Sequence, residues 1–124
     1  IEQNYDALRR LGQRHNCTVK IGSGIDEDLL IEAGIAQCDA FFAVTRGDNT
    51  NLMAAQIAKI KYSVPSVCVK VADPNRAEAY RKIGYFCITP SALLAGMMLD
   101  WITHKPYEAI DTYNVLPKEL EVQI

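Results

Sequence analysis

The residues with chemical potential are few, and they favour binding over catalysis. Lys70 stands inside the apolar run Val67 to Val71. A lysine there must carry its charge to water, to an ion pair or to an anion, because burying it alone costs too much. Gly22-Ser23-Gly24 closes the run Cys17 to Ile21 and opens onto the acidic segment Asp26-Glu27-Asp28. The carboxyl end of a strand is where open α/β sheets bind ligands, although a plain glycine turn reads the same way. Thr45, Asp48 and Asn51 follow the run Ala40 to Val44. Asp48 and Asn51 suit a helix N-terminus as well as a ligand, and capping is the first reading for Asp48.

Covalent chemistry has little to work with. Neither His15 nor His104 lies at a strand end, and no nucleophile–base pair is visible. Cys17, Cys38, Cys68 and Cys87 lack C-x-x-C spacing, and each lies in or beside an apolar run. They read as reduced, buried thiols behaving as small hydrophobes. A zinc site is not expected.

These residues need a scaffold, and apolar periodicity supplies one by switching repeatedly between helical and extended patterns. Asn4 to about His15 is helical, with Leu8 and Leu11 on one face, and Cys17 to Ile21 is a strand. Asp26 starts a helix that places Leu29, Leu30 and Ala33 inward and stops at Gly34. Ala40 to Val44 is continuously apolar, which fits a parallel strand covered on both faces. A helix then runs from about Asn49 to Lys61, followed by a strand at Val67 to Val71. Asp73-Pro74 is the sharpest local signal: Asp caps free N–H groups, and Pro at the first helical position gives up a donor that had no partner. Phe86 to Ile88 is a short strand, and Pro90-Ser91 opens a last helix with Leu94, Met97, Met98 and Trp101 at helical spacing. Val115-Leu116 and Val122 to Ile124 look extended. Strand and helix alternate four times with short connections, so the fold class is α/β with a parallel sheet.

Composition excludes several functions. With 13 basic and 15 acidic residues, the net charge of −2 leaves no electrostatic footprint for nucleic acid. The pairs Arg9-Arg10 and Arg81-Lys82 read as solvated helix faces. No apolar run reaches the roughly 18 residues of a membrane span.

The loops together resemble those of the TrkA-N family, also called the RCK domain (regulator of potassium conductance). The resemblance rests on Gly22-Ser23-Gly24, Ala43-Val44-Thr45 with Asp48 and Asn51-Leu52, Val69-Lys70-Val71 before Asp73-Pro74, and Ile83-Gly84 before Ile88-Thr89-Pro90. It covers about 1–102, and 103–124 looks like that family's crossover connection toward a C-terminal subdomain. It implies a Rossmann-like, doubly wound parallel sheet whose first strand–helix–strand unit, about 30 residues, would lie upstream of Ile1 and carry the glycine-rich phosphate turn.

What the resemblance implies functionally is a cytoplasmic regulatory subunit, or domain, of a membrane-embedded potassium channel or transporter. It would assemble as a homo-oligomer, from dimer to octameric ring, and bind NAD(H) or ATP/ADP to gate flux without catalysis. Glu2 takes the place of the acidic residue that accepts ribose hydroxyls. Ser23, standing where the family usually has Asp or Asn, takes the adenine side with Gly22 and Gly24. Thr45 takes the ribose or phosphate side, with Asp48 and Asn51 nearby. Lys70 faces the phosphates or, in the alternative, a helix carboxylate. The family's divalent-cation positions appear here as Thr45, Lys70 and Ser91, so no metal is expected. The helix bearing Leu94, Met97, Met98 and Trp101 reads as core, or as the family's crossover and dimer contact. An NAD-dependent oxidoreductase and a structural interaction module with a decayed nucleotide site are the competing readings.

Overall fold

Each strand that forms is a short run with β-branched or aromatic residues, and each is followed by a helix. The computed structural model describes residues 1–13 and 15–115. Its sheet has three parallel strands in the order β1 (Ala40–Ala43), β2 (Ser66–Lys70) and β3 (Phe86–Ile88). Phe42 lies opposite Cys68, and Cys68 lies opposite Phe86, which fixes the register.

Among the described residues five α-helices accompany the sheet, and the first and last of them are under two turns long. Helix α1 (Glu27–Glu32) is capped by Asp26, whose carboxylate accepts from the Asp28 and Leu29 N–H groups. Helix α2 (Asp48–Gln56) runs on as a π-helical turn, Ile57–Lys61. Helix α3 (Pro74–Lys82) has the expected Asp73 cap and first-turn proline. Helices α4 (Pro90–Ile102) and α5 (Ile110–Tyr113) complete the order.

Period-two alternation sends Ala43, Val69 and Cys87 to one face, where they meet Leu52, Ala54 and Ala55 of α2 and Ala77 of α3. Burying a Val or Leu side chain stabilises by about 1.5–3 kcal/mol each, so this layer is the main core. A second cluster joins Leu30, Ile35, Ala58 and Val64 and ties α1 beneath the end of α2. The fold is therefore Rossmann-like α/β, as expected.

Four expectations need correction. First, the β1 strand is not covered on both faces among the described residues: Phe42 is 67% exposed and lines an open depression with Cys68, Phe86 and Ile88. Helices α2 and α3 both pack on the opposite face. Second, Cys17 to Ile21 forms no ladder. Among the described residues its one pairing is a parallel bridge between Ile21 and Glu2, and a strand needs a neighbour's backbone along its length. Third, the first helix is a 3₁₀ segment, Tyr5–Leu11, that buries no residue and ends at Gly12 (φ 69°). Without a packed face there is little to favour a full α-helix. Fourth, the α4 row is not core: Leu94, Met97, Met98 and Trp101 are all exposed, because Ala92 and Gly96 form the buried side of that helix. The expected extended pieces beyond Val115 lie outside the described residues.

Candidate functional site

Two groups of the expected residues come together, one at the isolated Glu2–Ile21 bridge and one at the ends of β1 and β2. In the first, the Glu2 N–H donates to the Lys20 carbonyl and the Gly22 N–H to the Glu2 carbonyl, both at 3.0 Å. Glu2 thus sits against the Gly22–Gly24 turn. Its Oε1 accepts from the Asn4 N–H at 2.8 Å, and its side chain is half-buried. Ser23 Oγ accepts from the Ile25 N–H at 3.4 Å, and its carbonyl accepts from Asp26 at 3.1 Å. Gly22 has φ 150°, and a Cβ there would stand 2.6 Å from Leu29 Cδ2. Glycine is what lets the turn rest directly on α1.

In the second group Asn51 is the centre. It is fully buried. Its Oδ1 accepts from the Thr45 N–H at 2.8 Å and from Thr45 Oγ1 at 2.7 Å. Its Nδ2 donates to the Thr45 carbonyl at 3.1 Å and to the Lys70 carbonyl at 3.0 Å. An amide side chain offers two donors and two lone pairs, so all four are engaged. Asn51 therefore holds the ends of β1 and β2 together, and any ligand contact would pass through its neighbours.

Asp48 does related work rather than capping its own helix, whose N-cap is Gly47. Its carboxylate reaches across to accept from the Ala72 and Asp73 N–H groups at 2.8 and 3.1 Å. Arg76 Nη2 donates to Asn49 Oδ1 at 2.7 Å. Three contacts thus lock the first turn of α2 to the β2–α3 loop and the first turn of α3. Thr45 remains exposed on top of them, and Lys70 is half-buried. Lys70 shares its sheet face with Cys68 and Phe42, the open one. Among the described residues its Nζ has neither a salt bridge nor a hydrogen bond. No hydrogen bond among the described residues joins the Glu2 group to the Thr45 group directly.

Sequence reasoning missed a third network. Arg81 was expected on a solvated face; instead its Nη2 donates to the Asn114 carbonyl at 2.7 Å and to Thr89 Oγ1 at 3.0 Å. Asn114 Oδ1 accepts from the Thr89 N–H at 3.2 Å, and both residues are buried. The Thr-Pro step at Thr89-Pro90 was a usable signal for the helix start; nothing local marks Asn114. Lys82 keeps the expected exposed position, paired with Glu78.

The thiols also divide. Cys87 is buried and Cys17 exposed, with Cys38 and Cys68 between, and all four are free. Burial pushes the Cys68 and Cys87 thiols up, partly offset at Cys87 by the Arg81 charge. Among the described residues no three His, Cys, Asp or Glu side chains gather as a metal site would require. No helix among them is long and apolar enough to cross a membrane.

Loops gathered over the carboxyl ends of parallel strands, held by buried polar brackets, define a Rossmann-type binding domain. Comparison narrows the class: the family model "TrkA-N domain" matches residues 1–89, and the chain belongs to that family. A Trk system potassium uptake protein TrkA of Streptomyces coelicolor is 37% identical over 99 residues, covering 80% of this chain and 44% of that protein. A TrkA homolog of Methanothermobacter thermautotrophicus is 35% identical over 83 residues, covering 66% of this chain and 38% of its own length. The TrkA of Vibrio alginolyticus is 42% identical over 75 residues, covering 60% and 16%. The chain thus spans less than half the length of these relatives. Their names are those of potassium uptake proteins, not of oxidoreductases.

Proposed function

We propose that this chain is the nucleotide-sensing part of a regulatory protein acting on a membrane potassium transporter or channel from the cytoplasmic side. The ligand is NAD(H) or ATP/ADP. It lies over the carboxyl ends of β1 and β2, with its phosphates toward Lys70 and a sugar or phosphate oxygen on the Thr45 hydroxyl. Glu2 accepts from ribose hydroxyls, and the Gly22-Ser23-Gly24 turn takes the base side.

One observation carries the reading. The Asn51 bracket fixes Thr45 and the end of β2 in a pre-organised frame, beside a lysine whose ammonium has no partner among the described residues. Rigid support beneath an exposed hydroxyl and an available cation is how a protein lowers the ordering cost of binding an anionic ligand. The salt bridge that would have explained Lys70 as structural is absent among the described residues.

Binding then changes flux by differential affinity for two states of an oligomer, without chemical turnover. The exposed row Leu94, Met98 and Trp101 supplies the self-contact, since Met and Trp are enriched at interface cores. Titration of NADH by its fluorescence, with ATP and ADP as competitors, tests the reading. Saturable binding that Lys70→Ala weakens about tenfold, the worth of one charge-assisted contact, is the expected result. If no nucleotide binds, the chain is the structural module instead; if NADH is consumed with a substrate, it is an oxidoreductase.

A further inference from the structure

Among the described residues after α4, 103–115, two side chains are buried and the rest are exposed. Residues 103–109 are exposed throughout, and His104 turns the chain with φ 58°. Beyond them, Tyr113 and Asn114 are buried while Ile110 is exposed. The Tyr113 ring lies on the backbone of α4 at Gly96, where an added Cβ would stand 2.8 Å from Cδ1. Its hydroxyl donates to Asp100 Oδ2 and accepts from the Glu108 N–H, both at 2.7 Å. Asn114 sits at the other end of α4, accepting from the Thr89 N–H while its carbonyl accepts from Arg81.

We propose that Ile110–Asn114 is a strap that closes over the β3–α4 junction and opens as a unit, independently of the sheet. The physical grounds are its attachment. An exposed connector supplies the hinge, and among the described residues two buried side chains, Tyr113 and Asn114, oppose the entropy of ordering it. Such weakly anchored segments open far more often than a core does. Closure also has a defined effect. Thr89 is the N-cap residue of α4 but its side chain caps nothing; Asn114 satisfies its backbone N–H from 25 residues away. Opening leaves that buried N–H and the Arg81 guanidinium without these partners, which loosens the first turn of α4. The strap thereby sets how firmly α4, and the apolar row it displays, is held to the end of β3.

Thr89 is on the same edge of the sheet as Thr45 and Lys70. The Val71 N–H donates to the Ile88 carbonyl at 2.9 Å, so the ends of β2 and β3 are joined there. The strap is held by its own contacts, whether or not a nucleotide binds that edge.

Amide hydrogen exchange on the full chain tests it, using Asn114→Ala and Gly96→Ala. The first removes an anchor; the second drives a methyl group into Tyr113 while giving α4 a better helix former. In both variants, exchange should quicken at least about tenfold in residues 89–93 and 110–115 and change less than about twofold in β1 and β2, the pattern of a sub-global opening. Two results would overturn the proposal. One is unchanged exchange at 89–93 in Gly96→Ala. The other is equal acceleration of the sheet, which would make the segment part of one cooperative unit.

Discussion

Asn51 and Thr45 are closed into a ring: the side-chain carbonyl of Asn51 accepts the Thr45 N–H at 2.8 Å while its amide donates to the Thr45 carbonyl at 3.1 Å. A side chain from the first turns of α2 thus pairs with Thr45 as a neighbouring strand's backbone would. The same amide reaches the Lys70 carbonyl, so one residue sets the relative position of two loops.

Removing it should therefore cost more than one hydrogen bond. Asn51→Ala leaves the Thr45 N–H and two carbonyls without their partner, and we expect a loss of about 2–4 kcal/mol. Asn51→Asp keeps the acceptor and loses both donors, so it should also be destabilising. Urea unfolding checks this; a loss under about 1 kcal/mol for Asn51→Ala would mean the bracket is easily replaced by water.

Thiol labelling should follow exposure. Cys17 should react first with a maleimide and Cys87 only on unfolding, because burial both shields its thiol and holds it protonated. Mass spectrometry of peptides after timed labelling resolves the order. Early modification of Cys87 would show that the layer beneath α3 opens readily.

Tyrosine titration gives a pH prediction. Burial pushes the Tyr85 and Tyr113 phenols up; the Asp100 carboxylate adds to the effect at Tyr113, against a partial offset from the Glu108 N–H. A raised folded value favours the protonated folded form. Its contribution is whole below the ordinary tyrosine range near pH 10 and is lost as pH climbs toward the folded value. Absorbance at alkaline pH should therefore show late titration that Tyr85→Phe and Tyr113→Phe each reduce. Six tyrosines titrating as one class would contradict it.

The apolar row of α4 should drive self-association. Trp101 is 70% exposed and Met98 59%. Sedimentation at rising concentration should reveal dimers or larger rings, and Trp101→Glu with Met98→Glu should shift the protein toward monomer. A wild-type chain that stays monomeric to high concentration would remove this face from the interface.

What the sequence made legible was local. Asp26 and Asp73-Pro74 announced helix starts because a cap and its free N–H groups lie within three residues of each other. The runs Ala40 to Val44 and Val67 to Val71 announced strands because both are too short and too apolar for a surface helix. The order of these signals was enough for the Rossmann-like class and the family. Distant pairings were not legible. Nothing near Asn114 points to Thr89, 25 positions away, and nothing near Asp48 points to the Ala72 and Asp73 amides. The same blindness made Arg81 look solvated and the Leu94–Trp101 row look buried, since helical spacing reveals an apolar face without revealing what covers it. Glu2 and the Gly22–Gly24 turn do meet, and so do Thr45, Asn51 and the end of β2.

We propose that a nucleotide occupies the carboxyl edge at β1 and β2. Amide chemical-shift mapping of the full chain during addition of NADH and of ATP tests it most directly. Saturable shifts are expected at Thr45 to Asp48 and at Lys70 to Asp73, lost in Lys70→Ala with the rest of the spectrum intact. Shifts confined to other regions, or none at millimolar nucleotide, would contradict it.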